Sequence, residues 1–233
     1  MLVFFASSYL SDRIIELPNR YKIVGLCGVI CMIKEREQAF STIRDAIATG
    51  VRDFLVAFRH DWANETMYGF LLEAVWEGTS VEAVAGTEEG LLRIAQYYAA
   101  SEGQEDEELI NYQGIELRWG SPEDGWYANY DADFFKRANQ LLAEAHETGL
   151  MELGDQQLQQ LCLEVLRQLD GAGVFGSGKT RQKIVIGVCD VGGDNTEKDF
   201  LEWAEAVNPP IVMERLRREL QEANEVYARS LAD

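Results

Sequence analysis

The sequence predicts an α+β domain: a small antiparallel sheet of three to four strands packed with five to seven helices. Three observations predict it. Apolar residues recur at three- and four-residue spacing from Phe40 to Phe58, two short apolar runs are joined by a tight polar connection, and no regular strand-helix alternation follows.

Phe40, Ile43, Ile47, Val51, Phe54 and Phe58 form the buried stripe of the first helix. Met67 to Val75 and Val81 to Ala85 read as strands. The segment Glu77-Gly78-Thr79-Ser80 between them is too short for anything but an antiparallel hairpin. Thr87-Glu88-Glu89 then starts a helix, with a side-chain cap and carboxylates in the first turn, where the helix dipole favours them. Gly103 to Glu108 is an acidic polar stretch expected as a solvated loop. Ile115, Leu117 and Trp119 alternate with Glu116 and Arg118, the pattern of a short strand, and Ser121 to Gly125 is a turn by composition.

Further helices are expected over Asp131–Ala145, Gln156–Leu169 and Glu197–Val207 from their apolar faces. Lys183 to Asp190 is a β-branched run typical of a buried strand. Asn208-Pro209-Pro210 ends one helix and starts another, because proline suits a first helical turn.

The first thirty residues differ from the rest. Met1 to Leu10 is apolar without a basic start, unlike a secretory signal. Residues 1–31 therefore stand apart as an extension to a domain over residues 32–233. Either Met32 is the natural start, or the segment adds a strand or a peripheral helix.

A chain with 47% apolar residues can bury a real core. Its 40 acidic side chains against 21 basic ones leave a net charge of -19, which repels nucleic-acid phosphates and anionic lipid surfaces. Nucleic acid and membrane are thus excluded as expected partners, and a basic protein is the natural one. No apolar run reaches the roughly 20 residues of a membrane helix. Four scattered cysteines, Cys27, Cys31, Cys162 and Cys189, are too few for a disulfide framework and suggest a reducing, cytoplasmic setting.

Gly173-Val-Phe-Gly-Ser-Gly178-Lys179-Thr180 satisfies the P-loop expression, and Ile184 to Asp190 imitates the strand that ends in a magnesium-positioning aspartate. The P-loop mechanism needs a strand before the loop and a helix after it. Here the predicted order is reversed, so the match is expected to be accidental. Lys179 and Asp190 would also lie at opposite ends of one strand, about 35 Å apart at about 3.3 Å per residue. The glycines at 171, 173, 176 and 178 serve instead to turn the chain from helix to strand.

Other catalytic patterns are poorly supplied. The two histidines, His60 and His146, lie near helix C-termini, where capping or exposure explains them. Ser177 lacks the surrounding glycine pattern of a nucleophile elbow. Cys27 and Cys31 have no second ligand pair for zinc. Asp190, Asp194, Asn195 and Glu197 lack the ligand order of a calcium loop and read better as an acidic turn with a helix cap. No cofactor or metal is expected.

Trp119, Trp126, Tyr127 and Tyr130 crowd one segment with Glu123 and Asp124, and exposed aromatics ringed by charge are the material of binding hot spots. These six residues form the candidate partner-binding set. The simpler account is that the rings cover a core edge beneath a long connection.

Several short motifs occur in order: Met67-Tyr-Gly-Phe-Leu-Leu, Ala85-Gly-Thr-Glu-Glu-Gly-Leu91, Arg118-Trp119-Gly-Ser-Pro122 with Trp126 following, Gly173-Val-Phe-Gly176, and Val207-Asn-Pro209. With these the chain, from about Ile33 to its C-terminus, resembles the bacterial domain of unknown function family numbered 4303. The resemblance implies a fold and no catalytic residue. It also implies an interaction role, since relatives include small proteins found beside secreted-toxin immunity genes, and it implies that the glycine-phenylalanine-glycine turn is not a nucleotide site. The leading expectation is a non-enzymatic binding protein, of the immunity type that neutralises a basic toxin. The alternative is a carboxylate- or metal-dependent hydrolase using Glu123, Asp124 or Asp190.

Overall fold

The computed structural model describes residues 19–75, 78–101, 103, 107–119, 125–128, 133–151, 156–191 and 196–230, the side chains of 19–32, 108–109, 112, 116, 190–191 and 230 excepted. The segment before residue 19, with its start-site question, lies outside the described residues, as do the side chains of Cys27, Cys31 and Met32. Two compact units divide between Ala39 and Phe40. Residues 19–39 of the first are helical and continue into helix α1, Asn19–Asp61. The second unit, Phe40–Asp233, carries the sheet and the core.

The fold is α+β, with a four-stranded sheet in the order β3-β2-β1-β4. Strands β1 (Met67–Val75) and β2 (Val81–Thr87) form the predicted antiparallel hairpin. Strand β3 (Trp126–Tyr127) adds antiparallel to β2, and β4 (Val185–Val191) adds parallel to β1. The sheet is therefore mixed rather than wholly antiparallel. The long, largely helical path from β2 to β4 lets the last strand return in the direction of β1, which a hairpin cannot do.

Eight helices are described, more than the five to seven expected: α1, α2 (Glu88–Ser101), α3 (Glu107–Leu117), α4 (Lys136–Glu147), α5 (Gln157–Gly171), the single turn α6 (Gly178–Arg181), α7 (Glu197–Glu205) and α8 (Pro210–Ser230). Helix α3 corrects two expectations. The alternation at Ile115 to Trp119 is not a strand, and the loop assigned as far as Glu108 already contains the helix start. Three alternating residues are too few to separate a strand from the end of an amphipathic helix.

One sheet face carries the main core. Ile43, Ile47, Val51, Phe54 and Phe58 of α1 are all buried against Phe70, Leu72 and Ala74, with α4 and α5 alongside. Each of these side chains other than Ala74 contributes roughly 1.5–3 kcal/mol by leaving water. The opposite face packs Leu71, Val84 and Val185 beneath α2, α7 and α8. A bulge between Met67 and Gly69 inserts Tyr68 into β1 and turns its ring to this second face.

Local chemistry sets the helix ends. Thr87 Oγ1 accepts from Gly90 N at 2.9 Å, the cap expected for α2. Thr196 and Asp199 form a reciprocal capping box at α7, so the acidic segment there does end in a helix cap. His60 is exposed and pairs with Asp61, whereas His146 does more than cap. Its Nδ1 faces the Met151 carbonyl at 3.0 Å and its Nε2 the Gly78 carbonyl at 2.8 Å, tying the end of α4 to the hairpin turn.

Between α5 and β4, Gly173, Gly176 and Gly178 have φ of 75°, 91° and 54°, the left-handed region in which side chains are strained. This is the predicted helix-to-strand turn, and the chain order is the reverse of a P-loop. The distance expectation needs correction: residues 178–181 are helical, so only 185–191 is extended, spanning about 20 Å.

Candidate functional site

The motifs singled out in the sequence meet at one end of the sheet. The bulged Tyr68 lies under the Arg118 guanidinium, 4.5 Å from its ring, and donates its hydroxyl to the Arg118 carbonyl at 2.9 Å. Arg118, at the end of α3, forks onto Glu88 in the first turn of α2, at 3.0 and 2.5 Å. Trp119 stands edge-on to Tyr68 and Trp126, with centroids 5.3 and 6.1 Å away, and donates Nε1 to Glu219 of α8 at 3.0 Å.

Two glycines let this cluster close. A Cβ on Gly86 would stand 2.6 Å from the Tyr68 ring, and one on Gly69 would stand 2.9 Å from Trp126. Glycine is needed at both because an aromatic side chain occupies the space a Cβ would take.

Charge in the cluster is paired. Burial opposes the charge on Arg118, but the hydrogen bond and the charge of Glu88 more than offset it and hold its pKa above the ordinary value. On α8 burial wins and lowers the pKa of Arg215, although Glu219 lies 3.6 Å away. Desolvation also raises the Tyr68 phenol well above its usual range. Beside the cluster, Glu65 accepts from Arg93 at 2.6 and 3.2 Å and from Thr87 at 2.5 Å, and Glu89 accepts from Thr66 N at 2.6 Å. These carboxylates are held in place as hydrogen-bond acceptors.

The candidate partner-binding residues separate. Trp126 and Tyr127 are only 7% and 6% exposed. As consecutive residues of β3 they point to opposite sheet faces. Trp126 joins Tyr68, and Tyr127 enters a nest of Phe54, Phe58 and Trp62, with its hydroxyl on Asp61 at 2.6 Å. Neither ring is offered to a partner, a correction to the reading of all four aromatics as surface anchors. Trp119 remains half-buried, with part of its ring accessible. Glu123, Asp124 and Tyr130 lie outside the described residues, as do Asp194, Asn195 and the Asp190 side chain. Among the described residues no group of three His, Cys, Asp or Glu could hold a metal ion, and no helix is long and apolar enough to cross a membrane.

Sequence reasoning missed Tyr68, Glu88 and Glu219 as cluster members. The available signal was an aromatic beside a glycine in one strand, Tyr68-Gly69, and a second glycine, Gly86, inside the other, since glycine within a strand marks close backbone approach.

The model of the family described as Domain of unknown function (DUF4303) matches residues 43–209. The chain belongs to this family. No curated protein and no solved structure matches it. The DUF4303 span contains Tyr68, Glu88, Arg118, Trp119 and Trp126 but stops before Arg215 and Glu219, so α8 completes the cluster from outside the matched residues. Within the DUF4303 span, the motif residues at this end of the sheet interlock as scaffold.

Proposed function

We propose that this DUF4303 domain is a non-enzymatic protein-binding module that engages a basic protein partner, as an immunity-type protein neutralises a basic toxin in a reducing, cytoplasmic setting. The observation that carries the reading is the charge imbalance, 40 acidic against 21 basic side chains. A field of that sign accelerates encounter with a cationic surface and penalises anionic ones.

The cluster supplies an anchor for such a partner. Trp119 presents part of a large ring held by Glu219, and the Glu88 side chain beside Arg118 is 45% exposed. Glu123 and Asp124, four and five positions after Trp119 in the sequence, are the acidic members of the proposed partner-binding set.

Capture of basic proteins by the tagged full chain from its native host, washed at low and then high salt, tests the proposal. The expected result is one stoichiometric basic protein, identified by mass spectrometry, that is lost with Trp119→Ala and with paired Glu123→Lys and Asp124→Lys. No retained protein at either salt rejects the reading.

A further inference from the structure

On the other sheet face, where the glycine turn meets the end of α1, a cleft of about 440 Å³ opens. That volume lies within the roughly 300–1,000 Å³ of small-molecule sites. Its floor is apolar: Phe58, Phe175 and Ile184 are buried there. Its rim is cationic: Arg59, Lys179 and Lys183 line it with the hydroxyl-bearing Thr66 and Thr180.

The charge at this rim runs against the rest of the chain. Acids outnumber bases almost two to one overall. Among the described residues the one carboxylate on the lining, Glu65, is already held by Arg93 and Thr87. Arg59 donates one Nη2 hydrogen to the Val174 carbonyl at 2.9 Å, which steadies it at the mouth, and among the described residues it has no carboxylate partner. Among the described residues, neither Lys179 nor Lys183 has a carboxylate partner. Three like charges gathered at one mouth repel each other unless an anion compensates them.

We infer that this cleft binds a small soluble organic phosphate, its apolar body on Phe58, Phe175 and Ile184 and its phosphate between Arg59, Lys179 and Lys183. An anion with several acceptor oxygens suits three cations and two hydroxyls better than a single carboxylate does. The apolar floor selects a phosphate attached to carbon chain or ring over inorganic phosphate. Side-chain cations do the holding, so the site differs from a P-loop and needs no magnesium. A bilayer phosphate is disfavoured because an anionic membrane repels a chain of charge -19. The inference is independent of the proposed protein partner.

Calorimetric titration of the full chain with hexyl phosphate, hexanoate, hexanol and inorganic phosphate tests it. Hexyl phosphate is expected to bind at one site, with hexanol and inorganic phosphate each about tenfold weaker or more, and hexanoate in between. Lys179→Ala with Lys183→Ala, both at exposed positions, is expected to weaken hexyl phosphate about tenfold or more without lowering the thermal midpoint. The inference is overturned if hexyl phosphate shows no saturable binding, binds no better than hexanol, keeps its affinity in the double variant, or requires magnesium. Phosphatidylcholine vesicles containing phosphatidic acid separate the two sources of phosphate. Protein left in the supernatant supports a soluble ligand, and cosedimentation lost in the double variant overturns that assignment.

Discussion

The side-chain amide of Asn208 pairs with both backbone polar groups of Ile186: its Oδ1 accepts from the Ile186 N–H at 3.0 Å, and its Nδ2 donates to the Ile186 carbonyl at 2.5 Å. Asn208 thus behaves as one more residue of sheet along the outer edge of β4. Its second amide hydrogen reaches the Ala204 carbonyl at 2.8 Å, and its oxygen also accepts from the buried Arg181 at 3.1 Å. Arg181 in turn pairs with Asp170 and donates to the Ile184 and Val207 carbonyls. Asn139 does the same for the other side of the sheet, pairing with the Val81 N–H at 2.9 Å and the Val81 carbonyl at 3.3 Å. An edge treated in this way offers fewer open backbone groups to a stray strand.

Asn208→Ala should therefore destabilise strongly, because it leaves the fully buried Ile186 without partners for both backbone groups. A loss of about 2–4 kcal/mol is expected, read as a urea midpoint lowered by about 1 M or more. Asn208→Asp should rescue little, since a carboxylate cannot donate to the Ile186 carbonyl. A midpoint unchanged in Asn208→Ala would mean the edge pairing contributes nothing net.

Gly86→Ala should also destabilise, through contact rather than hydrogen bonding. The new Cβ falls 2.6 Å from a Tyr68 ring that is 2% exposed and has nowhere to retreat. About 1–3 kcal/mol of overpacking is expected. Adding Tyr68→Ala opens the space, so the double variant should lose at least about 1 kcal/mol less than the sum of the single losses. Simple additivity in denaturation curves would show that the two sites do not touch in solution.

The hairpin, most helices and the glycine turn were legible because each rests on a local signal: periodicity, a cap or a turn residue. The parallel placement of β4 was not, since it depends on strands more than a hundred residues apart coming together. Strand β3 was hidden because two residues carry no period. The site divides in the same way. Crowding of aromatics near Trp119 was visible, but which rings face inward is decided by the pairing of Trp126 and Tyr127 with Gly86 and Ala85. Lys179 drew attention through a string match, whereas its convergence with Arg59 is a property of the fold alone.

Cys162 is buried in α5, and desolvation pushes its thiol up to about 12. The thiolate is the reactive form, so Cys162 should resist iodoacetamide at about pH 8 in the native protein and react after unfolding in urea. Peptide mapping by mass spectrometry reads the position directly. Rapid native labelling at Cys162 would contradict its placement.

Tyr68 gives the fold an alkaline limit whose sign follows from its environment. Desolvation by burial raises its folded pKa above the ordinary tyrosine value of about 10, and nearby Glu88 and Glu219 add to the shift against the opposing effect of Arg118. Above about pH 10 the unfolded chain releases this proton while the native state keeps it. The contribution is therefore complete below the unfolded value and is lost as pH rises from there toward the folded value, at a slope of up to about 1.4 kcal/mol per pH unit. Tyr68→Phe removes the hydrogen bond to the Arg118 carbonyl at every pH but leaves nothing to titrate. The variant should be less stable than the parent at about pH 8, and the gap should narrow or reverse by about pH 11 in urea unfolding. A gap that stays constant over that range would place the Tyr68 phenol in contact with water.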